Sequence, residues 1–562
     1  MKRKGVKCMK RIPNSTDDFK TMIDKNMYFV DKSMLIEHIM DDQISLIPRP
    51  RRFGKTLNMS MLKYFYSIKE KDNAYLFHDL KITHSIAMKD QNQFPVIMLT
   101  LKDMIGEYFE SALYDFKFSV AHYLSMHQEL LHSSKIDANT MYLLQSYWNR
   151  TANDKDYELS LYTLSVALYQ HYEKKVIILI DEYDVPLQNA YAFDLKYHDS
   201  EYTFYNKMAL FFKILFSKTF KSNLFLEKAV LTGCLRIAKE SIFTGMNNLE
   251  VHSIFDNNTA TDFGFTQEEI NSLLQAFSLT QYSHQIKDWY DGYHFGKADI
   301  YNPWSVMNYL KNINNGNTTK PISYWANTSG NDIIYHYISK ADASMKQEFD
   351  ALVNDHPIVK EIHGDLTYRE LDSIDHIYSF LLFTGYLKYQ KEVRSGCYEL
   401  SIPNKEIKEI YTRTFNQWFK EEKRSYGPKI LNAFLSGDPN EASLLLNAFM
   451  NKTISYYDTL NENSYHMMLI GLLSSVELVS NREAGLGRFD IAYIPGDVYS
   501  TAFIIECKVA PSDQKRQDSA LTALSQIRNK GYAQSLKRQG YRKIHCYGVS
   551  FYKKNASIVI DE

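Results

Sequence analysis

Four runs of uninterrupted aliphatic residues punctuate the first half of the chain: ISLIP (44–48), FPVIMLTL (94–101), KVIILID (175–181) and KAVLTG (228–233). Runs of this length without polar alternation suit strands buried on both faces, which predicts an α/β fold with a parallel sheet covered by helices. From 264 to 345 the pattern is helical and loop-rich, with turn signals at Asp291-Gly292 and Asn315-Gly316. Between 347 and 420 helices precede GYLKYQKEV, a turn at Ser395-Gly396 and YELSI, an order that predicts a winged-helix-like unit. A polar stretch from Lys420 to Pro428 leads to a last α/β segment. There, alternating strands over 488–494 and 501–509 flank a hairpin signal at Pro495-Gly496-Asp497. These shifts divide the chain at 1–263, 264–345, 346–425 and 426–562.

Composition narrows the classes that fit this pattern. A length of 562 residues suggests roughly three to four domains. With 45% hydrophobic and 23% charged residues, a largely disordered chain is excluded. The 65 Lys and Arg nearly cancel the 66 Asp and Glu, so the chain does not coat nucleic acid through a bulk positive field. The average hides opposed regions. Residues 508–543 hold nine Lys or Arg against two Asp, and the first eleven residues hold six basic and no acidic residues. The five cysteines (Cys8, Cys234, Cys397, Cys507, Cys546) are widely spaced, against both a disulfide framework and a structural zinc site. The basic N-terminus has no apolar core of a signal peptide, and the most apolar stretch, Met467 to Val479, is short and contains Glu477. A soluble, cytoplasmic protein without a membrane partner is expected.

ISLIPRPRRFGKTLNMSMLKYFY places a strand before a basic loop, with Gly54-Lys55-Thr56 opening an amphipathic helix. Such a loop aims backbone N–H groups and the helix N-terminus at phosphates. Arg52, Phe53, Gly54, Lys55, Thr56 and Leu57 would line it, with Lys55 reaching the β/γ-phosphates and Thr56 holding Mg²⁺. Arg49 stands where the usual pattern has glycine, so Arg49, Arg51 and Arg52 either add charge to the cradle or have other duties. KVIILIDEYDVP supplies the second half of an ATP site: Asp181 would hold Mg²⁺ through water and Glu182 would polarise the attacking water. FPVIMLTL lies between the two motifs, as in the P-loop branch with an extra strand. KAVLTG places Thr232 as a polar γ-phosphate sensor. Arg236, one turn on, is either a sensor or finger arginine or a surface charge.

YFVDKSMLI, RPRRFGKT, LIDEYDVPL, LTGCLRIAKESIFTGMNNL, WYDGYHFG and YNPWSV together resemble the bacterial AAA-ATPase-like family that carries a C-terminal PD-(D/E)XK nuclease-superfamily domain. The resemblance covers nearly the whole chain. It implies a P-loop NTPase domain of AAA/STAND-like type over 1–263, a helical lid over 264–345, the winged-helix-like domain over 346–425 and a restriction-endonuclease-like α/β domain over 426–562. It makes RPRRFGKT the family's usual loop. It implies ATP and Mg²⁺ as cofactors, and a neighbour's arginine often completes such sites, which leaves a homo-oligomer open. It offers no mechanism for Asn247, Asn248 or the Tyr293-His294-Phe295 segment.

GLGRFDIAYIPGDVYSTAFIIECKVA carries a second constellation. If the turn centres near 498, Asp490 lies across from the neighbourhood of Glu506, and the two-residue strand period puts Glu506 and Lys508 on one face with Cys507 on the other. Asp490, Glu506 and the Cys507 carbonyl can hold Mg²⁺, which prefers oxygen ligands. Lys508 would position the hydrolytic water or offset phosphoryl charge. This is the D…ExK arrangement of the resembled nucleases. Glu462 resembles their additional acidic position, with Glu483 competing, and Gln526 matches the glutamine of the helix after the hairpin, with Tyr532 close behind. A surface ion pair between Glu506 and Lys508, worth under ~1 kcal/mol, would produce the same triplet without chemistry. His466 reads as a packed helix residue. Two functions are therefore weighed: an ATP-regulated nuclease acting on nucleic acid, DNA in the first instance, in defence or mobile-element biology; or a STAND-like ATPase switch whose nuclease-like domain only binds nucleic acid or a protein.

Overall fold

The structure is a computed structural model describing residues 10–13, 16–197, 201–235, 242–243, 246, 248–325, 343–364, 374–453, 461–480, 483–484, 487–488 and 490–561. It divides into two compact units, one drawn from Met1–Thr328 and Pro357–Lys408, the other from Ser329–His356 and Glu409–Glu562. No helix among the described residues is long and apolar enough to cross a membrane.

The first unit is built on a five-stranded parallel sheet: β1 (Ile44–Pro48), β2 (Val96–Thr100), β3 (Val176–Asp181), β4 (Leu226–Gly233) and β5 (Leu249–Val251), in the order β2-β3-β4-β1-β5. Every residue of β1 and β3 is buried, which is why their sequences carry no polar alternation. The run at 94–101 lies between the two phosphate-site motifs in sequence but takes the sheet edge. The strand between β1 and β3 in space is β4, which sets Thr232 beside both. The carboxyl ends of β1, β3 and β4 thus share one edge, the usual ligand edge of an open α/β sheet.

Beyond the sheet, β6 (Tyr293–Phe295) and β7 (Ala298–Ile300) form a short hairpin, and the helix Pro303–Asn314 follows, capped by Asn302. The predicted helix-then-hairpin order appears as the helix Ile374–Phe383 followed by β9 (Lys388–Arg394) and β10 (Cys397–Ser401). A third strand, β8 (Ile358–Glu361), pairs on the far side of β10. The polar stretch 420–428 is helical: Lys405–Ser436 is one helix that continues through Pro428.

The second unit holds a mixed five-stranded sheet. Its strands are β11 (Leu478–Ser480), β14 (Ile491–Tyr493), β15 (Ala502–Val509), β16 (Ile544–Tyr552) and β17 (Asn555–Asp561), in that order, with the two-residue strands β12 (Glu483–Ala484) and β13 (Gly487–Arg488) paired separately. β15 and β16 are parallel and the other neighbours antiparallel. The strand period sorts the two faces of β15. Phe503, Ile505 and Cys507 pack with Phe434, Phe449 and Leu469. Ile504 packs with Leu524 and Ile527 of the helix Arg516–Lys530.

Candidate active sites

At the β1 end, Gly54 adopts a left-handed backbone, φ 85°, and opens the helix Lys55–Tyr66. A side chain is strained there, so glycine is needed at this turn. Lys55 is buried, and its Nζ donates to the carbonyls of Arg49 and Pro50, both at 3.0 Å. Cys234 Sγ lies 3.6 Å from the same nitrogen, and burial pushes that thiol's pKa up. Thr56 and Leu57 follow, both half-buried.

Across the sheet edge, Asp181 is 1% exposed; its Oδ1 accepts the Thr232 hydroxyl at 2.5 Å and its Oδ2 has no partner among the described residues. Such an orphaned carboxylate oxygen is costly in an apolar interior unless a cation or water reaches it. Glu182 has a left-handed backbone, φ 55°. Burial first, and the charge of Asp181 second, raise its pKa. Arg236 and Asn247 fall outside the described residues, while Asn248 donates to Gln43 Oε1 at 2.7 Å.

The arginines of the loop divide their work. Arg49 is fully buried; it donates to the carbonyls of Pro48 (2.9 Å), His252 (2.6 Å) and Thr259 (3.1 Å) and to the Thr259 hydroxyl (2.8 Å). Its guanidinium also lies over the rings of Phe263 and Phe295, at 5.2 and 5.4 Å, and burial lowers its pKa to about 10. Arg49 is therefore a post that ties β1 to the segment after β5. Arg51 reaches Gln188 Oε1 at 2.7 Å, and Arg52 lies 4.3 Å over the Trp304 ring. Phe53 meets Tyr293 edge-on at 4.9 Å and Phe295 at 5.3 Å. The Tyr293 and Phe295 rings thus buttress the loop, whereas His294 turns to Asp299 at 3.0 Å.

In the second unit, β14 and β15 pair Ile491 with Ile505, so the next step of the register sets Asp490 opposite Glu506. Asp490 Oδ2 accepts the Cys507 backbone N–H at 2.8 Å, and its own carbonyl accepts from His466 Nε2 at 2.9 Å. Glu506 is 1% exposed; Oε1 accepts from Gln526 Nε2, while Oε2 has no partner among the described residues. Burial, followed by the neighbouring Asp490 charge, pushes the Glu506 carboxyl up to about 7. The Lys508 ammonium sits 3.4 Å from Glu462 Oε1 and lowers the cost of charging Glu506. The Cys507 side chain faces the opposite core, and burial raises its pKa. Among the described residues no three His, Cys, Asp or Glu side chains form a metal cluster. Two carboxylates with an orphaned oxygen nevertheless fit Mg²⁺, which keeps several waters and takes few protein ligands.

Residues 13–243 match the family model described as a predicted AAA-ATPase, and residues 460–560 match that of the PD-(D/E)XK nuclease superfamily. The two matches agree with the order expected from the sequence, an ATPase-like region followed by a PD-(D/E)XK-like domain. It is also similar to a protein of Azotobacter chroococcum mcd 1 named "Uncharacterized protein in vnfD 5'region", 22% identical over 552 residues covering 95% of this chain and 94% of that one.

Three positions in these two regions escaped the sequence reading. In the ATPase-like region, Asp184 Oδ2 accepts the backbone N–H groups of Cys234 and Leu235 at 2.8 and 2.9 Å, pinning the loop after Thr232. A Cβ on Gly233 would lie 2.6 Å from Asp184 Oδ1, so glycine is needed for this close approach. In the nuclease-superfamily domain, Glu506 pairs with Gly548, where a Cβ would strike the Ala520 carbonyl and lie 2.7 Å from Leu524 N. The bare glycine lets the helix Arg516–Lys530 settle onto the sheet, which is how Gln526 reaches Glu506.

Proposed function

We propose that the protein is an ATP-regulated, Mg²⁺-dependent nuclease in which the ATPase-like region controls cleavage of nucleic acid, DNA in the first instance, by the C-terminal domain. The observation that carries this reading is the buried Glu506 carboxylate opposite Asp490, with Gln526 on one oxygen and the other left open. Asp490, Glu506 and the Cys507 carbonyl would hold Mg²⁺, which supplies a water acidic enough to attack a phosphodiester and charge stabilisation for the phosphoryl group. Gln526 orients Glu506, and the Cys507 N–H and His466 orient Asp490. Lys508 would then leave Glu462 to position the nucleophilic water or to offset the transition-state charge. Glu462 is the further acidic group at the start of its helix.

In the ATPase-like region, Lys55 would bind the β/γ-phosphates, the backbone of 52–57 would cradle them, and Thr56 and Asp181 would hold the Mg²⁺ that accompanies ATP. Glu182 would orient the hydrolytic water and Thr232 would register the γ-phosphate through Asp181. Arg236 would serve as a sensor or finger arginine, and a cytoplasmic role in defence or mobile-element biology suits the pairing.

The test is cleavage of plasmid, single-stranded DNA and RNA by the full chain with Mg²⁺, with and without ATP. Asp490→Ala should abolish cleavage while leaving ATP hydrolysis, and Lys55→Ala should abolish ATP binding and the effect of ATP on cleavage. Cleavage by Asp490→Ala at the wild-type rate would refute the site. A wild-type protein that hydrolyses ATP and binds nucleic acid without cutting it is the STAND-like switch instead.

A further inference from the structure

The helix that delivers Gln526 ends four residues later at Lys530. Residues four apart lie on one helix face, so Lys530 is carried to the same side as the glutamine bonded to Glu506. The charge relations agree: Lys530 favours the ionised form of Glu506, and both Glu506 and Asp490 favour the charged form of Lys530. The half-buried side chain lies beside Tyr532, whose ring centroid is 5.8 Å from the ammonium. Tyr532 is itself buried, and Gly531, in a left-handed turn at φ 65°, folds it back against the helix end.

Three other cations of this basic stretch have partners of their own. Arg516 pairs with Asp513 at 2.8 Å, Arg528 with Asp561, and Arg542 lies 5.0 Å over the Tyr499 ring. Lys530 differs from those three in lying one helical turn beyond Gln526, on the face that carries the glutamine bonded to Glu506.

We propose that Lys530 binds a non-bridging phosphate oxygen of nucleic acid at the Asp490–Glu506 site, flanking the carboxylates from the helix side as Lys508 flanks them from the strand. The inference rests on the nuclease reading above and adds a substrate contact to it. A lysine on a phosphate contributes to binding uniformly across sequences and releases about one counterion, without taking part in the bond change. Lys530 is accordingly a binding residue.

The experiment measures binding of a short labelled DNA duplex, with single-stranded DNA and RNA of the same sequence in parallel, by full-length Asp490→Asn protein over a salt series. Adding Lys530→Gln should weaken binding roughly threefold to tenfold at moderate salt and reduce the log–log salt slope by about 0.9 on duplex or about 0.7 on single strands. Adding Arg528→Gln should change neither. In the cleaving protein, Lys530→Gln should raise KM with kcat unchanged, and Lys530→Arg should restore KM. Equal effects of Lys530→Gln and Arg528→Gln, or an unchanged salt slope, overturn the assignment while wild-type cleavage leaves the nuclease reading standing. Failure of the parent protein to bind any of the three nucleic acids overturns both.

Discussion

Replacing Glu506 by Gln keeps the shape and the acceptor for Gln526 but removes the titratable proton. In metal-free protein, Glu506 is held at about 7 against an ordinary value of 4.5, because burial and Asp490 oppose its charge. Between those values the folded protein carries a proton that the unfolded chain has lost, so stability falls as pH rises through the interval. At about 1.4 kcal/mol per pH unit, the full rise corresponds to roughly 3 kcal/mol, about a hundredfold in an opening equilibrium. Hydrogen exchange of strand β15 (Ala502–Val509) in the full-length protein with chelator isolates the effect. Wild type and Glu506→Gln are compared at matched pH from about 5 to about 8, which cancels the intrinsic pH dependence of exchange. The variant should gain protection relative to wild type by roughly a hundredfold across the range. Magnesium should then restore protection at the alkaline end in wild type only. A wild-type-to-variant difference that stays flat with pH would refute the reasoning, since it would mean that Glu506 is charged without penalty beside Asp490.

Arg49→Met should destabilise the ATPase-like region by about 3 kcal/mol or more, because the His252 and Thr259 carbonyls lose buried donors together. Arg49→Lys should not recover the loss, since an ammonium cannot span both carbonyls as the guanidinium fork does; denaturant unfolding measures both, and a wild-type midpoint would exclude the post. Gly548→Ala should lift the helix Arg516–Lys530 off the sheet and withdraw Gln526 from Glu506. Its expected readout is a stability loss of about 1–3 kcal/mol together with strongly reduced cleavage, and normal cleavage at normal stability would count against the packing argument.

Strands β1 to β4 of the first sheet and β14 and β15 of the second were legible, because burial leaves a direct trace in one dimension: two-sided burial makes β1 and β3 continuous aliphatic runs. Strands β5, β16 and β17 were not read as strands. The opposition of Asp490 and Glu506 was legible for a related reason. The strand period is two, so a turn centred near 498 fixes which residues meet across the hairpin. Asp181 and Thr232 were singled out because each stands where an apolar run ends, and Lys55 because it opens the helix after the loop that follows one. Sheet order left no such trace, since it depends on which helices cover which strands. Only the tertiary structure set β4 between β1 and β3 and so joined the Thr232 hydroxyl to Asp181. The same holds for Arg49, which resembles its two loop neighbours in sequence and differs from them only through what surrounds it. Lys530 is one of nine basic residues between 508 and 543 in the chain. It becomes a particular one only when Gly548 lets a helix backbone touch the sheet, a contact between segments whose proximity no local pattern encodes.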